Sequence, residues 1–381
     1  MVNSDSKQWP DLASRSLGAG VIYANDELFA DRENLIKPED PVFQPHTFGN
    51  KGQIMDGWET RRRREVAGSG RGDDAIVRLG CAGVVRRVVV DTSYFTGNYP
   101  PEVAVEACGA EGYPSPADLA AASWTTLVPR SKVAGDARNE FDVAVEQRFT
   151  HVRLTIFPDG GVARLRVYGE PVPDPRLLPE TIDLAALENG AVVTGCSNMF
   201  YSSPANLLMP GLARVMGDGW ETARRRDESN DWVSIRLACA GSVEVAELDT
   251  SHFVGNAPGW AALGYDGGDL IGRTALQPDT RHRYAVPGGP VAREVRLDVY
   301  PDGGMARLRV FGRPTPQARW ELADRFLRLL PGPQLAELLR AAGVAPDEAA
   351  RRAEARGGLA DLPSSAHEQF RSVRNNPQTE K

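Results

Sequence analysis

Two hydrophobic patterns run along the chain. Val152, Leu154 and Ile156 alternate with Arg153, Thr155 and Phe157, the period of a strand with one face in a core. Pro158-Asp159-Gly160-Gly161 follows, a turn in which proline fixes φ and glycine accepts φ > 0. Ala163, Leu165 and Val167 then alternate with Arg164 and Arg166, which predicts a hairpin with one buried face. Residues 84–91 and 101–107 read as further short strands. Short strands between Gly and Pro turns predict an all-β sandwich, most simply a jelly roll. Beyond residue 316 the period changes. Trp320, Ala323, Leu327, Leu330, Leu335, Leu338 and Leu339 recur at near-helical spacing, broken at Pro331-Gly332-Pro333. Residues 346–356 suit another short helix, and 357–381 read as disordered.

Self-comparison shows that the β pattern occurs twice. Asp56-Gly57-Trp58-Glu59-Thr60 returns as Asp218-Gly219-Trp220-Glu221-Thr222, each followed by an arginine cluster. Asp91-Thr92-Ser93-Tyr94-Phe95 and Gly97-Asn98 return as Asp249-Thr250-Ser251-His252-Phe253 and Gly255-Asn256. Phe157-Pro158-Asp159-Gly160-Gly161 returns as Tyr300-Pro301-Asp302-Gly303-Gly304. The order is the same and the offset shrinks along the chain, so the second copy has lost loop residues. Units of this length exceed a solenoid repeat of about 20–50 residues, and read as a duplicated domain. Repeat 1 is placed at residues 15–172 and repeat 2 at 185–316. A proline-rich join falls near 170–175, and a helical or disordered tail covers 317–381.

Composition narrows the function class. The 381 residues carry 44 basic and 51 acidic side chains, a net charge of −7, which argues against a nucleic-acid partner. No stretch approaches the roughly 18 uncharged apolar residues of a membrane helix, and residues 1–11 lack a secretory apolar region. Cys81, Cys108, Cys196 and Cys239 form no CxxC pair and read as reduced thiols in a cytoplasmic chain.

Where the copies differ is more informative than where they agree, because shared residues can serve the shared fold alone. Tyr94 faces His252, and histidine is suited to proton transfer near neutral pH. The carboxylates Asp26 and Glu27 face Ser197 and Asn198, so an acidic pair occurs in one copy only. Asp74 faces Trp232, so a packing aromatic is missing from repeat 1. These differences predict a single-sided or composite site. They also predict that His252→Phe lowers turnover strongly and Tyr94→Phe far less. The hairpin aspartates Asp159 and Asp302 suit turn bonding, and Cys81 and Cys239 suit burial.

The doubled motifs resemble the allantoicase family over roughly residues 15–313, including an Asn25-Asp26-Glu27-Leu28-Phe29-Ala30 opening. The resemblance implies two tandem jelly-roll, galactose-binding-like repeats. It also implies hydrolysis of allantoate to ureidoglycolate and urea in purine catabolism. Chemistry then suggests roles. A guanidinium fork from Arg62 and Arg63, or from Arg224 and Arg225, suits the substrate carboxylate. Asp26, Glu27, Glu59 or Asp91 suit the ureido N–H groups, and Asn98 and Asn256 stand beside them as substrate-binding candidates. Protonation of the leaving group falls to His252 or to a carboxylate of raised pKa. Glu59, Asp91 and Glu221 join His252 as catalytic candidates. No cofactor is expected. Asp218, Glu221, Asp249 and His252 could hold a divalent metal but lack a tight ligand spacing, so no metal residues are assigned. A cytoplasmic homo-oligomer acting on a small molecule is expected. The other reading is a non-catalytic carbohydrate-binding module in which Trp58 and Trp220 form a sugar platform.

Overall fold

The computed structural model describes residues 9–64, 70–362 and 370. The chain divides into two units. The first comprises residues up to Val172 with Arg328–Arg356, and the second Pro173–Leu327 with the residues from Gly357.

In the first unit β1 (Gly20–Ala24) precedes a small hairpin, β2 (Phe48–Gly49) and β3 (Gly52–Gln53), and then β4 (Trp58–Glu59). The central strand β5 (Asp73–Asp91) is followed by β6 (Glu102–Cys108), helix α1 (Pro116–Ala120), β7 (Thr125–Lys132), β8 (Arg138–Asp142), β9 (Arg148–Phe157), β10 (Gly161–Val162) and β11 (Arg164–Pro171). One layer runs β1-β5-β9-β6-β7, and β11 and β8 also pair with β5. The N-terminal half of β5 pairs with β1 and β9, and its C-terminal half with β11 and β8. Its register to β9 breaks between Arg78 and Gly83, so the strand crosses from one layer to the other. Gly83 is required there, because a Cβ would collide with the Glu170 carbonyl.

The core follows the period of two. Val152, Leu154, Ile156, Ala163, Leu165 and Val167 are fully buried. Arg164 and Arg166, whose alternation predicted solvent, are buried too. Loop carbonyls cover that face: Arg164 donates to the carbonyls of Glu39 and Asp56, and Arg166 to those of Lys37, Pro38 and Glu39. Buried guanidiniums are tolerated because their N–H groups are bonded.

The second unit repeats the plan with β12 (Ile182–Asp183), β13 (Val192–Cys196), β14 (Trp220–Glu221), β15 (Asp231–Asp249), β16 (Trp260–Tyr265), β17 (Gly268–Ala275), β18 (Arg281–Ala285), β19 (Val291–Tyr300), β20 (Gly304–Met305) and β21 (Arg307–Pro314). Again one long strand, β15, pairs with β13, β19, β21 and β18. The main difference is segment 109–124, in whose place the second unit has a tight β16–β17 connection.

Segment 109–124 resolves the missing aromatic. In the second unit Arg296 stacks over Trp232, with the guanidinium carbon 4.5 Å from the ring centroid. In the first, Arg153 stacks over Trp124 at 4.4 Å. The tryptophan comes from the inserted segment instead of the strand. Leu119 from the same segment packs on Ile76 and Cys108.

The tail is helical as the spacing predicts: α2 (Pro316–Leu329), α3 (Gly332–Ala341) and α4 (Pro346–Ala355), with the break at Pro331. The part from Arg328 to Arg356 belongs to the first unit, where Gln334 donates to Glu111 at 2.9 Å. The disorder expected for 357–381 falls mostly outside the described residues.

Candidate active site

Three motifs meet at one end of each sandwich. Strand β4 pairs with β10, bringing Glu59 opposite Gly161. Asn98 then joins both: its carbonyl accepts Gly161 N–H at 2.7 Å, and its side-chain amide donates to Glu59 Oε1 at 2.7 Å. In the second unit Glu221 lies opposite Gly304, Asn256 accepts Gly304 N–H at 2.8 Å, and its amide donates to Glu221 Oε1 at 2.7 Å. A Cβ on Gly161 or Gly304 would collide with the ring of Phe95 or Phe253. The second hairpin glycine and the phenylalanine of the Asp-Thr-Ser motif are therefore required together.

The Glu59–Asn98 pair is the part of this end with chemical freedom. Glu59 Oε1 accepts the Asn98 amide, while Oε2 bonds no described residue. Burial pushes the Glu59 carboxyl above its ordinary value, and the Asn98 hydrogen bond opposes this only in part. Glu221 Oε1 accepts from Asn256 in the same way.

The arginine cluster divides by position. Arg63 donates through Nε and Nη2 to Asp73 Oδ1, at 2.9 and 2.6 Å, and Asp73 is buried. Arg225 donates through Nε to buried Asp231, at 3.0 Å. Their backbone N–H groups donate to Asp159 and Asp302 at 2.7 and 2.8 Å. Arg63 and Arg225 are thus corrected from substrate fork to framework, since their guanidiniums are already engaged. Asp73 and Asp231 were not singled out from the sequence, although they recur in both copies, and that recurrence was the available signal. Arg62 and Arg224 are exposed and bond no described residue.

Asp91 is corrected as well. It is 3% exposed, and its Oδ1 accepts the Ser93 N–H and hydroxyl at 2.9 and 2.6 Å. It caps a turn from inside the fold. Asp249 does the same for Ser251 at 2.8 Å.

The acidic pair shifts by one position. Trp58 Nε1 donates to the Asp26 carbonyl and Trp220 Nε1 to that of Asn198. Asn25 and Ser197 each donate to the buried aspartate. Asp26 therefore faces Asn198, not Ser197, and Glu27 faces Met199. Asp26 Oδ1 accepts Leu28 and Arg61 N–H groups, and Oδ2 pairs with the Arg61 guanidinium. Burial alone would raise its carboxyl, but those donors hold it below the ordinary range. In repeat 2 Asn198 Oδ1 accepts the same backbone donors, from Phe200 and Ala223. Both charges of the first repeat are absent from the second, where Asn198 and Ala223 stand in place of Asp26 and Arg61. Glu27 accepts Arg32 N–H at 3.1 Å.

Tyr94 and His252 occupy one backbone role. Both have left-handed φ, 69° and 70°, and their N–H groups donate to Asp136 and Asp279, each at 2.7 Å. His252 Nε2–H donates to the Ala213 carbonyl at 3.0 Å, while Tyr94 stacks on Phe43. The metal set does not assemble: Asp218 accepts the Arg214 backbone N–H and guanidinium, and Asp249 caps its turn. No group of three or more His, Cys, Asp or Glu suited to a metal occurs among the described residues. Trp58 and Trp220 are fully buried, so neither presents a ring as a sugar platform.

Comparison with known proteins agrees with this geometry. The sequence model of the Allantoicase repeat family matches residues 10–172, 182–265 and 266–315. A probable allantoicase of Nocardia farcinica is 59% identical over 313 residues, covering 80% of this chain and 94% of that protein. One of Streptomyces coelicolor is 50% identical over 338 residues, covering 84% and 90%. The crystal structure of allantoicase from Saccharomyces cerevisiae superposes with a TM-score of 0.69 at 35% identity, covering 81% of this chain and 94% of that one. With the family model spanning both repeats, the chain belongs to the allantoicase family.

Proposed function

We propose that Glu59 is the proton donor of the reaction and that Asn98 and Arg62 serve it. The chain is a hydrolase that converts allantoate and water to ureidoglycolate and urea. The observation that carries the proposal is the half-buried Glu59 carboxyl, raised by burial, with one oxygen held by Asn98 and the other bonding no described residue. Breaking the C–N bond expels a ureido nitrogen, a poor leaving group unless it is protonated. A carboxyl raised by burial is better suited than an ordinary one to supply that proton. The attacking water gives its own proton back to the carboxylate, so acid and atoms balance whether water displaces directly or adds after elimination. Arg62, without a partner among the described residues, suits the substrate carboxylate.

The acid role moves from His252 to Glu59 because His252 Nε2–H is bonded to Ala213 and its backbone closes a turn. His252→Phe tests the choice. A well-folded variant should keep turnover within a few-fold of the parent, roughly, and lose about 0.5–1.5 kcal/mol of stability with the hydrogen bond. Strongly reduced turnover would return the role to His252. The same proposal has the chain work in the cytoplasm as a homo-oligomer without a nucleic-acid, membrane or metal partner. Among the described residues its four cysteines form no disulfide, which suits a reducing compartment, and no helix is long and apolar enough to cross a membrane. Urea release from allantoate, measured with and without chelator, tests activity and metal independence together.

A further inference from the structure

The second unit holds a cavity of about 250 Å3 that neither Glu221 nor Asn256 lines. It is open to solvent; its charged lining is Asp183, Glu188, Glu247, Arg281, Arg307 and Arg309, bordered by Phe311 and by the exposed loop at Gly211 and Leu212. Glu247 is only 2% exposed, and its carboxylate accepts from Arg281 and Arg283 at 2.9 and 2.6 Å. Arg307 spends Nε and Nη1 on the carbonyls of Gly211, Asp218 and Ala306. Arg309 spends Nη1 and Nη2 on Asp183, Met209 and Gly211. Among the described residues Arg307 Nη2, Arg309 Nε and Arg281 Nη1 find no acceptor, and the Glu188 carboxylate finds no donor.

The first unit builds the same corner without these features. Strand register puts Val89 where Glu247 stands, Tyr168 where Phe311 stands and Arg138 where Arg281 stands. There the Arg138 guanidinium acts on the Tyr168 phenol and opposes the upward push of burial on it, and Asp40 lies 3.9 Å from the same guanidinium. In the second unit the phenol is gone, Leu212 replaces Asp40, and Gly211, at φ 68°, replaces Glu39. The fold does not demand a buried glutamate here, since its twin uses valine, and burying one costs stability unless it is paired.

We infer that this cavity binds a small carboxylic acid that also carries N–H donors, a ureido or amino acid. The unbonded guanidinium N–H groups suit its carboxylate, and Glu188 accepts its N–H groups. The volume is below the roughly 300–1,000 Å3 of drug-sized sites, which fits a ligand of small size. The site is distinct from the proposed Glu59 chemistry and goes beyond it.

The test uses the full chain and N-carbamoylglycine as the probe, with acetate as a carboxylate lacking N–H donors. Glu247→Val combined with Phe311→Tyr restores the residues of the first unit, and Phe311→Tyr alone, adding one hydroxyl, covers a failure of the pair to fold. Hydrogen exchange should show probe-dependent protection at residues 209–212 and 281–285. Affinity at that site should fall at least tenfold in a folded variant, with urea release unchanged. Equal protection in parent and variant, or none at these segments in the parent, overturns the inference. Protection by acetate as strong as by the probe overturns the ligand class. Urea release by the parent chain is read separately, so failure of the hydrolase assignment is distinguishable from failure of the cavity.

Discussion

The two repeats share a framework and differ in what covers it. Groups that bond the backbone or a buried partner recur in both: the Arg63–Asp73 and Arg225–Asp231 pairs, the turn-capping Asp91 and Asp249, and the buried tryptophans. Some side-chain pairs differ together. Asp26 with Arg61 stands against Asn198 with Ala223, and the tryptophan stacked by an arginine comes from the strand in the second repeat and from the inserted segment in the first. Duplication thus preserved whatever could not be lost singly, because an unpartnered buried charge costs several kcal/mol. A compensated pair can be replaced as a unit. A difference between copies is therefore not in itself a sign of chemistry, and each has to be traced to its partner.

Glu59→Gln set against Glu221→Gln puts the inequality of the repeats at greatest risk. Loss of a general acid lowers turnover by about 10²–10⁴-fold, so the first change should reach that range and the second should stay within about tenfold. Equal losses would make the repeats equivalent sites. Because burial raises the Glu59 carboxyl, activity should fall as pH rises through that raised value, and the Gln variant should lose this limb.

Two adjacent arginines come next. Arg63→Ala leaves buried Asp73 without its counter-charge and should cost about 3–5 kcal/mol of stability, read by denaturant unfolding. Arg62→Ala should leave stability alone and raise KM about 10–100-fold, the loss of a charged hydrogen bond of about 1.5–3 kcal/mol.

Acid should separate the repeats by a comparable amount. His151 is buried, and desolvation lowers its imidazole to about 4 from an ordinary 6.5. Its counterpart in repeat 2 is the exposed Glu294. The unfolded chain takes up this proton below pH 6.5 and the folded chain only near pH 4. Stability of the first repeat should therefore fall as pH drops through that window, by about 3 kcal/mol. Hydrogen exchange at about pH 7 and about pH 4.5 would show protection lost first in residues 148–171, and His151→Gln should reduce the difference.

The smallest effect belongs to the exchanged ion pair. Asp26→Asn with Arg61→Ala copies repeat 2 into repeat 1 and should cost less than about 1 kcal/mol, because Arg61 is exposed. Unchanged urea release would leave Asp26 as framework. A large loss would restore it as a substrate ligand.

The duplication, the period-two core and the motifs that mark the candidate site could all be read along the chain. Val152, Leu154 and Ile156 went inside because alternation leaves a strand one apolar face. Glu59, Asn98 and Gly161 were each conspicuous because they recur. Which side chains are already occupied could not be read that way. Arg62 and Arg63 are identical in type and adjacent, yet Arg63 is the one that reaches Asp73. Arg164 and Arg166 read as solvent-facing until a loop from residues 37–56 covers them. His252 looked like an acid until its turn and the Ala213 carbonyl claimed it. Periodicity is a local property of the backbone, legible in one segment. A side chain's free hydrogen-bonding capacity depends on segments scores of residues away, and it is set when folding brings some of them alongside and leaves others apart.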